Sequence, residues 1–371
     1  MMELRGVTKR FGTTLAVRNL SFTVEEGEFV VLFGPAGAGK STTLRLIAGI
    51  AQPNYGEIFF RGFSLKDVPP EKRNFSMVFE NYALYSHLTV FENLAFPLRA
   101  RGLPETDIRQ RVQNMGELLH IESMLDRKPG FLSGGQRQRV ALGRCLIREA
   151  NLYLLDEPIS HLDARLRIQM RAELKNICLE KHSTVLHVTH DYREAMALAD
   201  RVIVLNKGRI MQEGTPEEVY RNPANDFVAS FIGDPPMSFL KVACASSNGS
   251  NGYRLLGTDI YLPSGTQKLP DFSKDCNLTL GLRANRTSLA AEADDFCNTP
   301  VEIYLVESQG HRNLITVKLG DQLAQVVTPP DQNWKVGESA WLGLHAHFLH
   351  VFADGNAIFH PAESIATSVY K

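Results

Sequence analysis

The sequence predicts an α/β domain built on a mostly parallel sheet, followed by a small all-β domain of barrel type. Three observations lead there. Up to about residue 210, short apolar runs alternate with helical patterns, as strands and crossover helices do. Several of those runs are continuously apolar rather than alternating, the pattern of strands buried on both faces. After Asp234-Pro235-Pro236 the pattern changes to short strand-like runs broken by Gly, Pro and Asn.

In chain order, strands are expected at Glu28–Phe33, Phe75–Phe79, Leu152–Asp156, Thr184–Thr189 and Val202–Leu205. Helices fit at Ser41–Ile50, Gly134–Ile147, Ala164–Lys181 and Tyr192–Ala199. Lys207-Gly208 reads as a turn, and Thr215-Pro216 as a helix start with proline at its first position. Beyond the prolines, strand-like runs stand at Asn277–Arg283, Thr299–Ser308, Leu314–Lys318 and Ala340–Val351, and the small polar tract Ser246–Gly252 reads as a hairpin tip or a mobile loop. The expected division is residues 1–235 and 236–371, and no internal repeat changes it.

The chain has 371 residues, enough for two cores. A net charge of −1 with no long basic run gives no support for nucleic-acid binding. No apolar run reaches the ~18 residues of a membrane span, and the N-terminus lacks an apolar leader. Any membrane contact is therefore expected to be peripheral. The five cysteines form no CxxC pair, so they point to neither zinc nor a disulfide framework and read as isolated buried thiols.

The segment Gly34-Pro35-Ala36-Gly37-Ala38-Gly39-Lys40-Ser41-Thr42 matches G-x-x-x-x-G-K-[ST]. It follows an apolar strand and opens a helix, the context that gives this pattern its meaning. Glycines let successive N–H groups converge on phosphate oxygens, and the helix start adds partial positive charge. Lys40 is placed for the β- and γ-phosphates and the Ser41 hydroxyl for Mg²⁺. The expected ligands are thus ATP and Mg²⁺. Farther on, Ser133 and Gln136 in Leu132-Ser133-Gly134-Gly135-Gln136 have capping-box spacing. Two glycines just inside a helix cost stability, which makes sense where a ligand must approach the exposed N–H groups.

With this second motif the chain resembles the ATP-binding subunits of ABC transporters, closest to the maltose and glycerol-phosphate importer group. The resemblance covers about the first 235 residues, including Gly214–Tyr220 and Phe227–Gly233. It implies a P-loop NTPase of ABC type with a helical subdomain at about 89–149. Ser133, Gly134, Gly135 and Gln136 would then face the γ-phosphate held by a second nucleotide-binding subunit. It also assigns Asp156 to the metal side, Glu157 as general base, Asp163 to the loop crossing the dimer interface, and His190 as γ-phosphate sensor. Phe11 takes the place of the ring stacked on adenine; a core or turn phenylalanine is the plain alternative. Segment Phe75–Val90 would receive the membrane subunit, with Tyr82, Leu84, Tyr85 and Leu88 as anchors.

Two departures stand out. Position 80 carries Glu80 where the family has glutamine; a carboxylate there can bind Mg²⁺ but adds charge near the γ-phosphate. In the second domain Gly281-Leu282-Arg283 matches a recurring feature, yet Ala284 replaces the expected proline. The implied protein is an ATP-hydrolysing importer subunit on the cytoplasmic face of the plasma membrane, peripheral, with two transmembrane permease subunits and, indirectly, a solute-binding protein. A sugar, polyol or glycerol phosphate is the expected solute; polyamine, ferric iron and oxyanions stay open, as does a homodimer against a heterodimer. A soluble ABC ATPase of DNA repair or ribosomes is disfavoured, because one copy of each motif and no heptad insertion are present. A non-hydrolytic regulatory partner, suggested by Glu80, is disfavoured by Glu157 and His190.

Overall fold

Phe29–Phe33 (β3), Leu152–Asp156 (β7) and Val185–Thr189 (β8) are buried at every position. Strands of that kind need cover on both faces, and the computed structural model provides it. It describes residues 1–180, 182–247, 250–263, 277–344 and 349–361. Met2–Phe11 (β1), Thr14–Val24 (β2), Tyr55–Phe60 (β4) and Phe63–Ser64 (β5) form an antiparallel sheet in the order β2-β1-β4-β5. With Phe75–Val78 (β6), Arg201–Asn206 (β9) and Arg209–Gly214 (β10), the buried strands form a second sheet ordered β10-β9-β3-β8-β7-β6. All its pairings are parallel except that of β9 with β10. That hairpin turns at Lys207-Gly208, both at positive φ, the conformation two-residue hairpins favour.

Helix α1 (Lys40–Ala48) packs Leu44, Leu46 and Ile47 into the core between these sheets. It ends at Gly49, whose left-handed φ of 81° lets its N–H reach the carbonyls of Arg45 and Leu46. Helices α2 (Val90–Arg99), α3 (Glu105–Leu118) and α4 (Gly134–Leu146) make the helical subdomain. Thr89–Glu92 and Ser133–Gln136 form reciprocal capping boxes at the starts of α2 and α4. Helices α5 (Ala164–Glu180) and α6 (Tyr192–Leu198) flank β8 in sequence.

The chain divides into compact units at Met1–Glu217 and Glu218–Lys371. Helix α7 (Pro216–Arg221) spans that division, and α8 (Asp226–Phe231) belongs to the second unit, as do residues 218–235 read above with the first domain. The second unit is otherwise antiparallel, with a six-stranded and a five-stranded sheet among the described residues. Leu240, Leu280 and Val351 of one sheet and Ile303, Ile315 and Val326 of the other share one core. The run Ala340–Val351 is two strands: Ser339–Leu342 joins one sheet and Leu349–Ala353 the other. In the tract 246–252, strands Ser238–Ser247 and Ser250–Leu255 pair as a hairpin with Ser247 opposite Ser250; 248–249 lie outside the described residues. Cys145, Cys178 and Cys297 are buried, whereas Cys244 is exposed; Cys276 lies outside the described residues.

Candidate functional site

The parallel register brings the ends of three core strands to one line. Phe33 pairs with Thr189, and Asp156 with Val188. The loop 34–39 therefore leaves β3 beside the place where β7 delivers Asp156 and Glu157 and where β8 delivers His190. Carboxyl ends of parallel strands are where open α/β sheets build their sites.

Gly34 is required by crowding: a Cβ there would stand 2.3 Å from the Leu205 carbonyl oxygen. Gly39, at φ 100°, caps α1 in the left-handed region, and its Cβ would meet the Ala16 carbonyl oxygen at 2.5 Å. Gly37 also has positive φ. Pro35, Ala36 and Ala38 complete the loop, Ala38 N–H bonding the Pro35 carbonyl at 3.2 Å. Thr42 lies in the first turn of α1.

Lys40 curls back over the loop, its Nζ donating to the Gly34 and Pro35 carbonyls at 2.8 and 2.9 Å. Burial pushes its ammonium below the usual lysine range, while Glu157, Asp156 and Glu80 pull the other way, in that order. The Ser41 hydroxyl donates to Asp156 Oδ1 at 2.9 Å. Burial raises the Asp156 carboxyl above its ordinary value; the Ser41 bond opposes this, and the Glu80 and Glu157 charges add to it. Glu80 itself is exposed. Ser41 and Asp156 thus supply hard oxygen donors at one place, with the charge of Glu80 bearing on it, and among the described residues no three His, Cys, Asp or Glu side chains form a closed metal cage. Such a sparse oxygen set suits Mg²⁺, which prefers one or two carboxylates together with phosphate oxygens and water.

Glu157 has a left-handed backbone at φ 47°, costly for a side chain with a Cβ and a frequent mark of functional positions. Its N–H donates to the Val188 carbonyl at 3.0 Å. Its Oε1 lies 2.9 Å from His190 Nδ1, with the histidine side chain well exposed. A carboxylate only accepts, so Nδ1 carries the proton in this arrangement.

Other sequence-predicted residues sit as follows. Phe11 lies at the β1–β2 turn, paired with Thr14 and 53% exposed, with the Lys9 ammonium 5.0 Å from its ring centroid. The ring is therefore accessible rather than part of a core, and it stands at a turn, as the plain alternative also allowed. Ser133 and Gln136 bond each other at the start of α4. A Cβ on Gly135 would touch Leu162 at 3.1 Å, so this glycine lets the loop 160–163 lie against the helix. Asp163 caps α5, its Oδ1 accepting from Leu166 N–H at 3.0 Å.

Two residues escaped the sequence reading. Gln138, buried in α4, donates from Nε2 to the Glu157 carbonyl at 2.8 Å and accepts at Oε1 from His161 N–H at 3.1 Å. Arg167 donates to the carbonyls of Ser160 and Leu162 and pairs with Asp191 at 3.3 Å. Hydrophobic periodicity carries no record of which carbonyls a polar side chain will bond, whether it is buried like Gln138 or half-buried like Arg167, which is why neither was visible.

Residues 17–160 match the ABC transporter family, and residues 280–352 match the TOBE domain. The sn-glycerol-3-phosphate import ATP-binding protein UgpC of Salmonella typhimurium is 41% identical over 352 residues, spanning 95% of this chain and 97% of that one. The chain belongs to the ABC transporter family. The maltose/maltodextrin import ATP-binding protein MalK of Photorhabdus laumondii is 40% identical over 96% of both chains. The trehalose/maltose import ATP-binding protein MalK of Thermococcus litoralis is 51% identical over 64% of this chain and 66% of its own. Among solved structures, the dimeric post-hydrolysis state of the ATP-binding cassette MJ0796 bound to ADP and Pi is similar at 31% identity and a TM-score of 0.55, over 58% of this chain and 99% of that one. The chain is accordingly an ABC ATPase with a P-loop NTPase domain and a C-terminal TOBE-containing β unit, and it binds ATP. Among the described residues no helix is long and apolar enough to cross a membrane.

Proposed function

We propose that this chain is the ATP-hydrolysing subunit of a solute importer, with Gly34–Thr42 as its triphosphate cradle and Glu157 as the group that works on the attacking water. The observation that carries the reading is the convergence of Ser41 on Asp156 and of His190 on Glu157 at the aligned ends of β3, β7 and β8. Lys40 leaves the Gly34 and Pro35 carbonyls for the β- and γ-phosphates, and the backbone N–H groups of the loop and the start of α1 take the remaining oxygens. Ser41, Asp156 and Glu80 would hold Mg²⁺, which when bound would supply charge neutralisation at the phosphates. Glu157 accepts a proton from the attacking water as the water oxygen bonds to the γ-phosphorus and the bond from that phosphorus to the bridging oxygen breaks, leaving ADP and phosphate. His190 presents its N–H to the γ-phosphate after its ring turns away from Glu157. Phe11 offers its exposed ring to adenine.

Ser133–Gln136 and Asp163 lie on the surface that meets a second nucleotide-binding subunit, identical or not, as the dimeric state of the structural relative supports. The segment Phe75–Val90, which includes the partly exposed Tyr85, receives a membrane subunit, one of two transmembrane permease subunits in the complex; a solute-binding protein acts through them. With such partners the chain would be a peripheral subunit at the cytoplasmic face of the plasma membrane. The relatives' names favour a sugar or glycerol phosphate as the solute. The domain boundary is proposed at residues 235 and 236, at the linker prolines, although the second compact unit already begins at Glu218 and takes in α8.

The test is turnover of the full chain with Glu157→Gln beside wild type. Removing the base is expected to lower kcat by ~10²–10⁴ while ATP binding persists. A Glu157→Gln protein that hydrolyses ATP at the wild-type rate refutes the assignment.

A further inference from the structure

We infer that Gln138 is a positioning residue that fixes the catalytic carboxylate through its backbone and ties it to the helix that opens at Ser133. The inference rests on the reading of Glu157 given above. Gln138 is 1% exposed, and both ends of its amide are spent on one loop. Its Nε2 holds the Glu157 carbonyl at 2.8 Å and lies 3.5 Å from Ser160 Oγ. Its Oε1 accepts from His161 N–H at 3.1 Å. Ser160 Oγ donates to the same Glu157 carbonyl at 3.1 Å.

Glu157 needs such a clamp. Its φ of 47° is a conformation that a residue with a Cβ holds only when its surroundings over-determine it. The Val188 carbonyl fixes the N–H side of the residue, and Gln138 fixes the carbonyl side. The side chain of Glu157 is thereby aimed from both of its peptide planes. Because Gln138 lies in α4 close to the Ser133–Gln136 capping box, a displacement of that helix start is delivered to the Glu157 peptide. An apolar side chain of the same length would fill the space but leave the carbonyl to Ser160 alone. A glutamate would fill it too, and would offer a donor only when protonated.

The experiment uses the full chain as wild type, Gln138→Met and Gln138→Glu, measuring kcat, KM for MgATP, the melting temperature and the pH profile of turnover. Misplacing a reacting group by about an ångström costs up to ~10²-fold, so Gln138→Met is expected to lose at least ~10-fold in kcat with KM within about twofold. Gln138→Glu is expected to recover toward wild type as pH falls from 8 to 6, because burial raises a carboxyl into that window and its protonated form regains the donor. Wild-type kcat in Gln138→Met overturns the inference. So does a loss of kcat that only tracks the loss of folded protein, or a Gln138→Glu profile parallel to wild type. Wild-type protein without turnover in the same preparation would instead refute the reading of the site.

Discussion

Acid should destabilise the second unit, and His350 is one reason. This ring is 4% exposed, stacks on Phe352 at 6.3 Å and meets His360 with Nδ1 to Nδ1 at 3.0 Å. Burial, with the Arg283 guanidinium and His360 adding to it, pushes its pKa down to about 3. The folded state therefore keeps His350 neutral while the unfolded chain protonates it near 6.5. Between those values the unfolded state binds more protons, so stability falls as pH falls from about 6.5 to about 3. From pH 7 to pH 5 the loss is about 1.5 units at 1.36 kcal/mol each, or ~2 kcal/mol. For a unit of this size that lowers the midpoint by ~4–8 °C. Differential scanning calorimetry with and without ATP separates the two units, because a ligand raises only the transition of the unit that binds it. His350→Phe keeps the aromatic packing and removes the titration. Its midpoint should shift less between pH 7 and 5 than wild type, with His360, itself lowered by burial, accounting for the remainder. Equal shifts in the variant and the wild type would refute the reasoning.

Two further perturbations test the nucleotide site. Gly34→Ala should weaken ATP binding by ~5-fold or more, since its Cβ would stand 2.3 Å from the Leu205 carbonyl and overpacking costs ~1–3 kcal/mol; wild-type affinity by calorimetric titration would contradict the crowding argument. Glu80→Gln removes one of the carboxylates that bear on Lys40 and Asp156, so ATP without metal should bind more tightly by ~1 kcal/mol at low salt, while MgATP loses a carboxylate partner and turnover or its stimulation by the membrane partners is altered; equal affinity, rate and stimulation would show that Glu80 has no such part.

The parallel sheet was legible because strands covered on both faces must be apolar throughout, as Phe29–Phe33 and Leu152–Leu155 are. The antiparallel sheet of β1, β2, β4 and β5 was not. Its strands interleave charged residues such as Glu3, Arg5 and Lys9 with buried ones, and register shifts in β1 break the alternation. The run Ala340–Val351 misled for a different reason: apolar composition cannot tell one strand from two that go to separate sheets. In the site, the motifs located Lys40, Ser41, Asp156, Glu157 and His190, since each is a chemical type at a strand or helix end. The left-handed backbone of Glu157 and the Gln138 clamp are properties of contacts between elements. No local pattern encodes them.

Those contacts bear on how nucleotide binding works. Lys40 is bonded to two loop carbonyls, Ser41 to Asp156, and Glu157 to His190. Each group proposed to act on ATP thus already has a partner, and ATP must exchange bonds rather than supply missing ones. An exchange of that kind is nearly neutral per hydrogen bond, as in the exchange with water. The favourable balance must come from the charges. Three carboxylates face one buried ammonium here, and burial already holds Asp156 above and Lys40 below their ordinary pKa values. A triphosphate alone would worsen that excess of negative charge. A divalent cation held by these residues would offset it. The sequence departure at position 80 adds one more negative charge to this balance, which makes the metal weigh more in this chain than in a relative with glutamine at that position.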